Sequence, residues 1–181
     1  MNDLNLSQLI CTRISHDLSG AMGAVYNGTE LLQEDDGFIQ ETASLLQNSA
    51  KDLMARMRFF RQTFGLPKES EDTTKEYLKT FSIPFEIKGV CVNNLQRALI
   101  MTLTDYFYKG ATFDVKANTI SAKGDALKEC LGLSNLLQFG QGDETAANAP
   151  AFFVYRLCEQ EQKKIKIEIN KDIRQVIISI V

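Results

Sequence analysis

A chain of 181 residues, 44% hydrophobic and 24% charged, has the composition of an ordinary globular protein and length enough for one large or two small domains. Its formal net charge of −3 supplies no field to gather nucleic acid or an anionic membrane surface, so both lose standing as partners. The four cysteines, Cys11, Cys91, Cys130 and Cys158, form no Cys-x-x-Cys pair and have one histidine to join them, which argues against zinc. Their apolar neighbours mark reduced, mostly buried thiols of a reducing compartment. No apolar run reaches the ~18 residues of a membrane span, and the first residues lack the basic and apolar blocks of a signal peptide. A cytoplasmic location is expected.

Two long amphipathic patterns come first. Between about Leu4 and Leu32, residues Ile10, Ile14, Leu18, Ala21, Val25 and Leu32 recur at helical steps and share one face. Gln33-Glu34-Asp35-Asp36-Gly37 predicts a short polar turn. A second stripe follows, with Phe38, Thr42, Leu45, Leu46, Ser49, Leu53, Met57, Phe60 and Phe64, and Gly65-Leu66-Pro67 predicts its end. Two long helices joined by a short turn make an antiparallel hairpin. Such a hairpin cannot hide both stripes alone. Pairing with a second copy into a twofold four-helix bundle is the simplest solution, and packing against the rest of the chain competes with it.

A charged linker, Lys68 to Lys75, separates this hairpin domain, residues 1–67, from a mixed region, residues 74–181. There the patterns predict a short helix over Lys75–Phe81, a strand over Phe85–Lys88 and a helix over Asn93–Lys109 closed by Gly110. A hairpin of Thr112–Lys116 with Thr119–Ala122 comes next, then helices over about Ala126–Phe139 and Ala149–Gln160. Strands at Ile165–Ile169 and Gln175–Val181 turn at Lys171-Asp172. The fold class expected is α+β: a helical hairpin followed by a small sheet covered by helices, an α/β sandwich.

His16 is the chain's only histidine. At 100° per residue it lies roughly opposite the stripe of Ile14, Leu18, Ala21 and Val25, so it is predicted to face solvent. Thr12, Arg13, Ser19, Gly20, Gly23 and Asn27 share its face. Glycine in a helix costs up to about 1 kcal/mol relative to alanine. Gly20 and Gly23 beside an exposed imidazole are therefore a concession that a close-docking partner would explain. A neutral imidazole is nucleophilic and can take up a phosphoryl group and pass it on. Asp17 is placed to hold the ring tautomer, and Arg13, one turn earlier, to pair with phosphoryl oxygens. The bland reading is a solvated histidine among ordinary surface charges. On the residues alone the two readings stand about even.

Arg13-Ile-Ser-His16-Asp17-Leu-Ser, followed by Gly23-Ala-Val-Tyr-Asn27-Gly28-Thr-Glu-Leu-Leu32, resembles the phosphoacceptor box of the ChpT-like histidine phosphotransferases of alphaproteobacteria. More weakly, the order of hairpin, linker and α/β region resembles them too. The resemblance implies a homodimer with a central four-helix bundle, and a C-terminal domain like the ATP-binding domain of histidine kinases but degenerate. It implies His16 as the acceptor, Asp17 as its acidic neighbour, and partners that are receiver domains of a hybrid histidine kinase and of response regulators. It implies no intrinsic cofactor; Mg²⁺ is expected in the partner receiver domain. This chain departs from relatives in having Ser19-Gly20-Ala21 where a proline is often found. Gly20 also stands four residues after the histidine, where phosphatases of this kind carry Thr or Asn, so phosphatase activity is not expected.

An ATP-using kinase needs asparagines on a metal-binding helix and an Asp-x-Gly-x-Gly turn. The corresponding helix reads Ala98-Leu-Ile-Met-Thr-Leu-Thr-Asp105, with Asn93 and Asn94 upstream, and no such turn occurs. Gly140 and Gly142 alone are a weak phosphate signal, better read as a loop between helices. The sequence therefore predicts a phosphotransferase with a phosphohistidine intermediate and no ATP-dependent kinase activity. The alternative is a non-catalytic dimeric adaptor that binds or sequesters receiver domains.

Overall fold

The computed structural model describes residues 1–34, 39–65, 72–130 and 132–181, with the backbone alone for Gln33 and Glu34. The expected turn at residues 35–37, Phe38 of the second stripe, Leu66 and Pro67, and the linker up to residue 71 lie outside the described residues.

Two helices, α1 (Asp3–Glu34) and α2 (Ile39–Phe64), form the hairpin. They approach closely where Gly28 of α1 meets Leu46 of α2: a Cβ on Gly28 would stand 3.2 Å from Leu46 Cδ1. Near its end α2 turns inward, and Phe59 and Phe60 are buried. Gly65 still donates its N–H to Arg61 O at 3.0 Å.

The second region begins with α3 (Thr74–Lys79) and continues with β1 (Phe85–Lys88), α4 (Asn94–Thr104), β2 (Ala111–Lys116), β3 (Thr119–Gly124), α5 (Leu133–Phe139), α6 (Ala149–Gln160), β4 (Ile165–Asn170) and β5 (Gln175–Ile180). The strands form one sheet in the order β1-β2-β3-β5-β4. β1 and β2 are parallel, connected across α4, and the remaining pairs are antiparallel. Alternation places Phe113, Val115, Ile120, Ala122, Val176 and Ile178 in the core, where period-two patterning puts one face of each strand. α4 is buried from Leu95 to Thr104; α6 packs against it, and α5 packs against α6. The α+β class read from the sequence is the class found.

The hairpin is fastened to this region by aromatic packing. Tyr77 of α3 lies flat on Phe59 of α2, with centroids 3.8 Å apart and 2° between planes. Phe60 meets the Tyr77 ring edge-on at 5.8 Å, and Phe64 meets Phe153 of α6 at 5.0 Å. Part of the hairpin's apolar surface is thus covered by its own chain. Met22, Tyr26, Leu31, Ile39, Leu45, Met54 and Met57 are not; each remains exposed.

Two helix boundaries differ from expectation by five residues or more. The four-step spacing of Leu95, Leu99, Leu103 and Phe107 predicts a helix to Lys109, but α4 ends at Thr104. Its last N–H groups tighten to three-residue bonds, Asp105 N to Thr102 O and Tyr106 N to Leu103 O. Phe107 still reaches the core, from a turn. The helix expected from Ala126 starts at Leu133 instead. The Lys128 N–H is captured by Tyr106 O at 2.8 Å, so the segment before α5 is pinned to the end of α4 rather than coiled on itself. Among the described residues no helix is long and apolar enough to cross a membrane.

Candidate functional site

α1 carries its polar groups where a straight helix of this sequence puts them. The His16 side chain is 85% exposed. Thr12, Ser19, Gly20 and Asn27 are exposed with it, and Gly23 is half-buried. The hydroxyls fold back onto their own helix, Thr12 Oγ1 donating to Gln8 O at 2.9 Å and Ser19 Oγ to Ser15 O at 2.6 Å. A Cβ on Gly20 or Gly23 would meet no atom within 4 Å. The face predicted to surround His16 is present and unobstructed.

Beneath the imidazole lies a chain of charged contacts. His16 Nδ1 is 3.2 Å from Asp17 Oδ1. The other oxygen, Oδ2, accepts from Arg13 Nε at 2.8 Å. The two terminal nitrogens of Arg13 donate to both oxygens of Asp105, at 2.8 and 2.9 Å. Only 12% of the Arg13 side chain and 12% of the Asp17 side chain are exposed, against 32% for Asp105. Burial works against the guanidinium charge, yet the hydrogen bonds and charges of Asp105 and Asp17 outweigh it, and the Arg13 pKa is raised above its ordinary value. Arg13, expected to reach outward for phosphoryl oxygens, is instead turned inward onto two carboxylates.

Arg56 of α2 secures the same turn from the other side. It donates to the Asp17 backbone carbonyl at 3.2 Å and to Thr80 O at 2.9 Å, and its guanidinium stands 5.3 Å over the Phe81 ring. The Tyr77 hydroxyl is buried with no hydrogen-bond partner among the described residues. Burial first, and then the Asp17 charge, raise its pKa. Asp105 carries no signal in the sequence: it is one charged residue at the end of an apolar helix, and its partner is 92 positions away.

Other features read from the sequence have structural occupations. Asn93 caps α4, its side chain accepting from Gln96 N at 2.8 Å. Gly140 ends α5 in the left-handed region at φ 60° against the Tyr155 ring, and Gly142 lies against Leu136. Among the described residues no group of three or more His, Cys, Asp or Glu side chains is arranged to hold a metal. A groove of about 1000 Å³ runs between α1, α2 and α6, lined by Leu6, Ile10, Phe60, Phe64, Phe153 and Leu157 among others. It follows the apolar side of α1, roughly opposite His16.

No family model matches the chain. The protein phosphotransferase ChpT of Brucella abortus (strain 2308) is 40% identical to it over 65 residues, which are 36% of this chain and 31% of that protein. The match thus spans less than a third of the relative's length. A solved structure described as a bacterial phosphotransferase superposes with a TM-score of 0.78, covering 100% of this chain and 98% of its own, at 24% identity. That likeness shows a common fold. The chain is thus similar to ChpT over about a third of its length, and its whole length shares the fold of that solved structure.

Proposed function

We propose that this chain is a histidine phosphotransferase of a phosphorelay, and that His16 carries the phosphoryl group between receiver-domain aspartates. The observation that carries the reading is an 85% exposed imidazole in contact with Asp17, on a helix face of glycines and small polar side chains. With Nδ1 turned to Asp17, Nε2 is the nitrogen offered to solvent. Its lone pair attacks the phosphorus of a receiver's aspartyl phosphate; the N–P bond forms, the P–O bond breaks, and the aspartate leaves as carboxylate. The Nδ1 proton is held by the Asp17 carboxylate, which stabilises the cationic ring. The reverse sequence, with a second receiver's aspartate attacking phosphorus, returns the group. The in-line geometry and Mg²⁺ this demands belong to the receiver's pocket.

ATP has no part in the proposal. The hydroxyls of Thr102 and Thr104 donate back to Ala98 O and Met101 O, and Asn93 is spent as a cap. These occupied groups support a reading in which the phosphoryl group comes from another protein. The proposal includes a homodimer. The hairpin leaves apolar side chains exposed, among them Met22 and Tyr26 on one side of α1 and Met54 and Met57 on one side of α2, and a second hairpin in a four-helix bundle would cover part of this surface.

A reconstituted transfer assay tests the reading. Incubation with a phosphorylated receiver domain of a hybrid kinase is expected to put acid-labile label on the wild-type chain and none on His16→Ala. Intact receiver binding without label on either would replace the relay by the adaptor; label on His16→Ala would remove His16 from the chemistry.

A further inference from the structure

The carboxylate that orients His16 does not stand by itself. On α1 alone, Arg13 and Asp17 would be an ordinary pair one turn apart, two flexible side chains in weak attraction. What changes this is Asp105, which arrives from the end of α4 and takes both terminal nitrogens of Arg13 at 2.8 and 2.9 Å. A two-point grip fixes the plane of a guanidinium. Its Nε–H is then aimed along one line, and Asp17 Oδ2 lies on that line at 2.8 Å. With Oδ2 engaged, Oδ1 is the oxygen left to face His16 Nδ1 at 3.2 Å. Arg56 holds the Asp17 main chain in place, and the Tyr77 hydroxyl behind the cluster forms no competing hydrogen bond among the described residues.

We propose that Asp105 is a positioning residue for His16: acting through Arg13 and Asp17, the α/β region sets which ring nitrogen the acceptor histidine presents to an incoming phosphoryl group. This rests on the reading of His16 as the acceptor. An imidazole that donates from Nδ1 to a fixed carboxylate keeps its proton there and leaves Nε2 unprotonated and outward. A carboxylate free to rotate away holds neither, and the ring divides its population between tautomers. Asp105 touches no reacting atom; its effect is on how often the nucleophilic nitrogen is the exposed one.

The chain's single histidine makes this directly readable, because ¹⁵N labelling of the full-length protein gives one pair of imidazole nitrogen signals. The wild type is expected to show the Nδ1–H tautomer in the majority. Asp105→Ala should move the balance toward Nε2–H and slow receiver-to-chain transfer about tenfold, with receiver affinity unchanged. Asp105→Asn, which keeps an acceptor oxygen and the shape, covers the case in which the alanine variant fails to fold, and should fall between. Asp105→Glu should restore part of the effect by restoring the charge. If folded Asp105 variants keep the wild-type tautomer balance and rate while losing only thermal stability, Asp105 is a fastener of the hairpin and the inference is overturned. Transfer by His16→Ala in the same series would instead overturn the underlying reading, so the two failures are told apart.

Discussion

The glycines of the acceptor face make a prediction in which stability and function move in opposite directions. Glycine in a helix interior costs about 0.8–1 kcal/mol relative to alanine, and a Cβ at Gly20 or Gly23 would meet nothing within 4 Å. No clash offsets the gain, so Gly20→Ala with Gly23→Ala should stabilise the chain by roughly 1.5–2 kcal/mol. For a protein of this size that is a rise in Tm of about 3–8 °C, measured by circular dichroism. Gly28→Ala is the internal control: its Cβ would press on Leu46 Cδ1 at 3.2 Å and Leu46 Cβ at 3.4 Å, so the same propensity gain is offset at the helix contact and Tm should not rise. Gly20→Leu, a good helix former that overhangs the His16 face, should keep the fold and slow transfer from a receiver at least about tenfold, the equivalent of 1.4 kcal/mol. A fall in Tm for the double alanine variant would mean that this face is already covered. A wild-type transfer rate for Gly20→Leu would remove close docking as the reason for the glycines.

Three further outcomes are expected. Phe59→Ala removes a fully buried ring stacked on Tyr77 and should cost about 3–5 kcal/mol in urea unfolding, as large aromatic deletions do. Met54→Glu with Met57→Glu alters two exposed side chains on one side of α2 and should leave a single chain's fold intact, yet convert a dimeric mass to a monomeric one by light scattering; a wild-type monomer at micromolar concentration would sink the bundle. Burial pushes the thiol of Cys91 up to about 12 and that of Cys158 up to about 11, and raises that of Cys130. A raised thiol pKa means less thiolate at pH 8, so these three should resist alkylation in the folded chain while the exposed Cys11 reacts first, as read by mass spectrometry before and after unfolding.

The hairpin and the exposure of His16 were legible because both follow from one local period. A stripe at three- and four-residue steps fixes which way every side chain on a helix leaves the axis, whatever packs against it later. The strands were legible for the same reason at period two. What escaped was set by contacts between distant segments. The segment before α5 looks helical in isolation, but Tyr106 O takes the Lys128 N–H. Phe107 keeps its four-residue spacing from Leu103 and still lies beyond the end of α4. Arg13 is the sharpest case at the site. Its Cα is on the His16 side of α1, and a helical wheel therefore sends it outward. Its long side chain instead bends toward carboxylates, one of them 92 residues away, and no periodicity contains that partner.

The placement of His16 along the hairpin joins these points. It stands where α1 passes from a half whose apolar side packs on the core, with Leu6 buried and Ile10, Ile14 and Leu18 against it, to a half whose apolar side does not. At this boundary Asp17 is tied to Arg13, Arg13 to Asp105, and Arg56 to the Asp17 carbonyl and Thr80 O. Toward the turn, Gly20, Met22, Tyr26 and Asn27 are exposed and Gly23 meets nothing. Transfer between a nitrogen and an aspartyl phosphate rewards a reacting atom held to within about 0.5 Å, which calls for a rigid support. It also requires a partner to arrive and leave, which calls for bare surface. A histidine in the middle of the covered half would have the first without the second, and one near the hairpin turn the second without the first. At the boundary, the α/β region braces one side of the acceptor and the glycine face receives the partner on the other. Weakening the brace should therefore lower the transfer rate without altering receiver affinity, and filling the glycine face should weaken affinity without altering the ring tautomer.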